Sequence, residues 1–270
     1  DWVKAYGTYE NTKSPLKMRL KGLFADHWQD DGFWSFKIKL NGENTFLGMK
    51  RFELQHPRTR EYMNDWYFHK MSKNLGLLAP RYGFIRAFVN GERFPIYAFE
   101  ESLDKRLIEN NRRREGPTFN LLDKKLLNGR PQFYQNISFN QEKYYSKTAY
   151  GRSLIKRTER LIDGFNDGEL MASEVFDIKL MAKALAINDL FGNDHSLRVS
   201  NIAFYFNPLT GLIEPILFDN QTIGDLSAIR LIGEKINQDF KKPFYYLDKS
   251  KDNPSNLFLM EFGLTGKLFL

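Results

Sequence analysis

ALAINDLFGNDHSLRVSNIAFYFNPLTGLIEPILFDNQTIG, residues 184–224, reads as the end of an apolar helix, a polar loop and two short strands about a tight turn. Phe176, Leu180, Ala184, Ile187 and Phe191 share a helical stripe behind Ser173, a good N-cap residue, and Gly192 ends the helix. The loop carries Asn193, Asp194, His195 and Asn201, and the second strand runs PILF straight into Asp219. Two carboxylates and an amide brought together by a loop and a hairpin suit a hard divalent cation, which prefers oxygen ligands. If that cation carries a nucleoside triphosphate, the rest of the chain must supply a phosphate-binding lysine and a base-binding cleft. Phosphoryl transfer needs an aspartate near the acceptor hydroxyl, metal ligands bridging the phosphates and a lysine that fixes them. Asp194 fits the first role or a shared metal role, and Asn201 and Asp219 fit the second.

Upstream, residues 16–22 (LKMRLKG) alternate apolar and basic, as a half-exposed strand does. Residues 34–40 (WSFKIKL) repeat the pattern, with Trp34, Phe36, Ile38 and Leu40 on one face and Ser35, Lys37 and Lys39 on the other. Asn41-Gly42 marks a turn. The two lysines are either solvated on a sheet face or aimed at phosphate oxygens as point charges; Lys39 is the first choice and Lys37 the close second. Residues 46–54 form another expected strand. A helix is expected from Thr59 to about Asn74, ended by Gly76, with Tyr62, Met63, Trp66, Tyr67, Met71 and the Lys70 stem buried. Glu61, in its first turns, either pairs with Lys39 or Lys37 or stands exposed. Two strands, 83–89 and 93–100, meet at Asn90-Gly91, and the second ends at Glu100 and Glu101 before a helix-like segment. The shift from strand to helix signals near residue 100 divides the chain into a sheet-rich part, 1–100, and a helical part, 101–270.

Arg112 to Arg114 form a basic run, either solvated or docking an acidic partner. Residues 117–150 show no clean period and read as a long insertion or lid-like loop with some helix. Residues 151–165 read as helix, and the tail FLMEFGLTGKLFL (258–270) as packing on the body. A hydrophobic content of 42% argues for a folded core, and the formal charge of +7 suits an anionic ligand or simply solubility. The absence of cysteine excludes disulfides, thiolate nucleophiles and cysteine-ligated zinc. No run approaches the roughly 18 apolar residues of a membrane span. No signal peptide is read, and the opening Asp1-Trp2 leads us to expect a leader or upstream segment ahead of it.

Several ordered segments together resemble the CotH family of spore-coat-type atypical protein kinases: MRLKG, SFKIKL, LGMKRFEL, NLGLLAPRYGFIRAFVNG, FPIYAFEE, GNDHSLRVSN and PILFD. They cover most of residues 16–224. The resemblance implies an α+β, two-lobed protein-kinase-like fold. Its N-lobe would be an antiparallel sheet with one helix and its C-lobe mainly helical, with ATP and Mg2+ or Mn2+ in the cleft. By position it makes Asp194 the active-site aspartate, Asn201 and Asp219 the metal residues, and Lys39 or Lys37 the phosphate lysine. Glu100 and Glu101 fall where the hinge begins, with adenine bonding largely to backbone there.

Three features depart from the family pattern. The loop LFADHWQDDG lacks its small-residue run; Asp194 and Asn201 lie seven residues apart, against five in typical protein kinases; and Asn220-Gln221 follow Asp219. The implied activity is ATP-dependent phosphorylation of protein Ser/Thr hydroxyls. The expected partners are ATP and a secreted or cell-surface protein acceptor, not nucleic acid. The compartment is left open, an extracytoplasmic or cell-surface one being compatible. The alternatives are a catalytically silent, kinase-like binding module and a phospho- or nucleotidyl-transferase acting on a sugar or cell-surface polymer.

Overall fold

Ten strands and six α-helices are built from the described residues of this computed structural model, which are 1–22, 27, 34–122, 136–193, 195–197 and 201–220. Asp194, residues 123–135 of the expected lid-like segment and the apolar tail lie outside them.

The first sheet has six strands: β1 (Val3–Tyr9), β2 (Thr12–Leu20), β3 (Phe36–Leu40), β4 (Arg51–Gln55), β5 (Tyr82–Val89) and β6 (Glu92–Glu101). Their order is β1-β2-β3-β4-β6-β5 and every pairing is antiparallel. The first strand went unpredicted because its turn, Glu10-Asn11, lacks glycine; both residues take positive φ (45° and 63°), as the twist of a tight hairpin demands. Alternation sorts the two faces. Leu16, Phe36, Ile38, Leu40, Phe52 and Phe99 join Phe46 and Met49 in one apolar core. Trp34, expected on that face, is largely exposed.

Pro57–Arg60 forms a 3-10 turn, after which Glu61 and Tyr62 both adopt positive φ (52° and 58°). This left-handed break delays the helix α1 to Asn64–Asn74. It also rotates the expected face outward. Tyr62, Met63, Tyr67 and Met71 are exposed, while Asp65, Phe68, His69 and Ser72 are buried at i, i+3, i+4 and i+7 spacing. Apolar periodicity misidentified the inner face because that face carries the site's polar groups.

Four further strands, β7 (Thr118–Leu122), β8 (Asn136–Phe139), β9 (Ala203–Phe206) and β10 (Ile213–Ile216), form a second antiparallel sheet ordered β10-β9-β7-β8. The expected insertion at 117–150 thus contributes two strands. The short helix α2 (Lys105–Asn110) lies between the sheets in sequence, and α3 (Glu142–Tyr145), α4 (Ala149–Asn166), α5 (Ala172–Val175) and α6 (Ile178–Leu190) lie between β8 and β9. The stripe behind Ser173 is broken at Phe176, and Asp177 caps α6 instead, its carboxylate accepting from the Leu180 N–H. Phe119, Phe204, Phe206, Phe176, Phe165 and Ile162 pack this sheet against α4 and its neighbours. Phe68 of α1 meets Ala184, Ile187 and Leu217, which ties α6 and the hairpin end to the first sheet's helix. Among the described residues no helix is long and apolar enough to cross a membrane.

Candidate functional site

The polar face of the first sheet is ordered by its register. Residues directly opposite in an antiparallel ladder project to the same face. Arg19, Lys37, Glu53, Glu100 and Tyr82 therefore make one transverse row across five strands. Lys17, Lys39 and Arg51 make the neighbouring row. Lys37, Glu53 and Glu100 of the first row and all of the second line a cleft of about 830 Å³, whose other wall includes Asn120 and Ser138 of the second sheet, the adjoining Asn140, and Asp219.

Within the first row, Glu53 is the hub. Lys37 Nζ lies 2.8 Å from Glu53 Oε1, and Lys21 Nζ contacts Glu53 Oε2 from the end of β2. Lys21 also donates to Gln55 Oε1 at 2.8 Å, and Gln55 Nε2 donates to Glu100 Oε2 at 3.1 Å. Burial works against a charged Glu53, but Lys21 and Lys37 overcome it and hold the carboxyl well below the usual range. Glu100 has the opposite outcome: burial raises its pKa although Lys21 pulls it down.

Asp219 follows β10 at φ 58°, a left-handed conformation that aspartate tolerates better than most residues. Its carboxylate pairs with Arg60 Nη2 on one oxygen and lies 3.2 Å from His195 Nε2 on the other. Burial opposes its charge, yet the His195 hydrogen bond and the Arg60 charge bring its pKa down to about 2. The next N–H, of Asn220, donates to Asp65 Oδ1 at 3.3 Å. Asp65 is fully buried and raised well above the carboxylate norm by that burial and by Glu100. His69, one helical turn on, is held near pKa 3 by burial and the Arg60 charge, so its ring is neutral.

The loop before β9 is shaped by amides. Gly192 leaves α6 at φ 57°. Asn193 Oδ1 then accepts from the N–H groups of His195 and Ser196, while its Nδ2 donates to Asn188 Oδ1 at 2.9 Å. Asn201 Nδ2 donates to the His195 carbonyl at 3.0 Å.

A family profile described as CotH kinase protein matches residues 32–254. The chain belongs to that family. No curated protein matches it.

Set against this CotH framework, the sequence expectations fare unevenly. Lys37 and Lys39 both line the cleft, but Lys37 is anchored by an acid whereas Lys39 is exposed in the outer row. Glu61 does not meet either lysine. It is exposed at the 3-10 turn and accepts from Asn64 Nδ2 at 2.7 Å, because the left-handed break swings it away from the sheet. Glu101 is turned from the cleft's polar row and gripped by Arg81, whose Nε lies 3.0 Å away. The Glu101 and Ser102 N–H groups bond the Arg81 and Arg51 carbonyls, so these two donors are engaged within the fold. Arg113, central in the basic run, is held within the fold: its Nε donates to Glu214 at 2.9 Å and its Nη2 to the Gly76 carbonyl at 3.0 Å. Sequence reasoning missed Lys21, Glu53, Arg60, Asp65, His69 and Tyr82. The Asp65–His69 spacing of four on a helix was the available signal.

Proposed function

We propose that this CotH family member is an ATP- and divalent-cation-dependent phosphotransferase acting on protein Ser/Thr hydroxyls, with the nucleotide in the cleft between the two sheets. The observation that carries this is the concentration of Lys17, Lys21, Lys37, Lys39 and Arg51 on one cleft wall that also holds Asp219. Like charges directly opposite across strands destabilise a sheet, so the Lys17–Lys39–Arg51 row is best satisfied by an anion. Lys37, steadied by Glu53, takes the phosphate-anchoring role ahead of Lys39, and Lys21 supports it from the other side of the same carboxylate. The two-lobed reading, with a boundary near residue 100, goes with this proposal.

Asp219 and Asn201 are the residues to hold the cation. The donor set fits: Asp219 is an ionised hard oxygen ligand, and Asn201 has its nitrogen on a carbonyl, which leaves its oxygen as the coordinating atom. A bound Mg2+ or Mn2+ would neutralise charge on the terminal phosphates. Arg60 already holds one Asp219 oxygen and contributes a fixed positive charge beside it. Asp194 is assigned to orient the acceptor hydroxyl. The engagement of Asp219 by both Arg60 and His195 favours one alternative, a module that binds nucleotide without turning it over.

Titration with ATP and Mg2+ in a thermal-shift assay tests binding, and transfer of labelled phosphate to a protein acceptor tests turnover. Ligand a hundredfold above its Kd stabilises by about 2.7 kcal/mol. Binding without transfer selects the silent module, and absence of binding overturns both.

A further inference from the structure

We propose that Asp65, His69 and Glu100 form a buried binding site for a divalent transition-metal ion of the Zn2+ or Mn2+ type, distinct from the cation expected with ATP at Asp219. One ligand atom from each residue lies within 4.8 Å of the others. His69 Nε2 is 3.4 Å from Asp65 Oδ1 and 3.9 Å from Glu100 Oε1. Two ligands about 2.1 Å from a tetrahedral ion stand about 3.4 Å apart, so these separations suit donors sharing one ion.

The unmatched polar atoms point the same way. All three side chains are buried, yet among the described residues neither ring nitrogen of His69 has a hydrogen-bond partner, and neither does Asp65 Oδ2. The Tyr82 ring stacks on His69 with centroids 5.1 Å apart. Asn220 is fully buried with both carboxamide atoms unmatched, beside the N–H that bonds Asp65. Leaving such atoms unsatisfied is unfavourable, and a metal ion removes that penalty for its ligands.

The surroundings already resemble the support that metal ligands receive. Gln55 Nε2 holds the Glu100 oxygen not facing His69, and the Asn220 N–H holds Asp65. Arg60 stays 3.8 Å from the far Asp65 oxygen, leaving Oδ1 facing the imidazole. Four carboxylates here, Glu53, Asp65, Glu100 and Asp219, face three cations, Lys21, Lys37 and Arg60. An imidazole among the donors selects a transition ion over Mg2+ or Ca2+. Such an ion would clamp α1 to β6 and to the segment carrying Asp219.

The test uses the full chain, stripped with a chelator, dialysed, and titrated with Zn2+ alone and Mn2+ alone in the absence of nucleotide. The expected result is one tightly bound equivalent of at least one ion, weakened tenfold or more in His69→Gln and Glu100→Gln and unchanged in Asp219→Asn. No bound equivalent of either ion, or His69→Gln and Glu100→Gln variants that bind like wild type, overturns the proposal. Should a variant fail to fold, the Co2+-loaded wild type decides. An intense visible band of four-coordinate cobalt supports the site, and a weak octahedral spectrum overturns it. With nucleotide absent, failure of ATP binding would leave this outcome untouched.

Discussion

Glu53→Gln isolates the hub of the polar row. The substitution keeps shape and burial but removes the charge that pairs with Lys21 and Lys37. Lys21 is the costly loss: its side chain is 11% exposed and Glu53 is its closest carboxylate, with Glu100 3.9 Å away. Breaking a buried pair by removing one partner costs about 3–5 kcal/mol. The Gln55 contact and distant Glu100 remain, so we expect about 2–3 kcal/mol, or roughly 4–12 °C in Tm for a chain of this size. Lys37 is 39% exposed, and its pair is weakened by solvent; Lys37→Met should cost no more than about 1 kcal/mol. Urea unfolding of the three proteins, followed by far-UV circular dichroism, measures both differences. If Glu53→Gln lies within 0.5 kcal/mol of wild type, or Lys37→Met is equally damaging, the buried Lys21–Glu53 pair is not what organises this wall.

Three other perturbations probe the site. Asp219 has its pKa lowered from 3.8 to about 2, which corresponds to about 2 kcal/mol of stability. That contribution is present above pH 3.8 and lost as pH falls through 2, so the gap between wild type and Asp219→Asn in urea unfolding should narrow over that window; a gap that widens instead contradicts the assignment. Asn193→Ala strips the acceptor from two N–H groups in a buried loop and should lower stability by about 2–3 kcal/mol, read as a fall in Tm; an unchanged Tm would mean the loop does not depend on that amide. Lys37→Ala should weaken ATP binding more than Lys39→Ala in calorimetric titration, and the reverse order would return the phosphate role to Lys39.

The sheet was legible because its strands alternate cleanly and Asn41-Gly42 and Asn90-Gly91 punctuate them. The hairpin carrying β9 and β10 was legible for a similar reason, with apolar runs on either side of Pro208 to Gly211. What escaped was pairing. Glu53 sits in an unremarkable strand and gains meaning only when register places it opposite Lys37 and Glu100. Helix α1 misled for a deeper reason: Tyr67 and Met71 face outward while Asp65 and His69 face in beside Phe68, so the usual rule points to the wrong face. Two consecutive left-handed residues, Glu61 and Tyr62, set that rotation, and neither is a residue type that announces positive φ.

The two transverse rows then divide the work of the cleft wall by charge. In the inner row the lysines meet carboxylates, and that balance fixes positions at the expense of free charge. In the outer row Lys17, Lys39 and Arg51 stand opposite one another, all exposed and of one sign. Repulsion between them is tolerable in water and screened by salt, yet it is relieved most by a multiply charged anion lying across all three strands. A triphosphate laid across those three strands would have Lys37 and Glu53 along its side, two residues on in β3 and β4, where the wall turns from basic to acidic. Under the proposed function, that change of sign across two residues of strand, not any single lysine, would set which side of the anion faces the carboxylates.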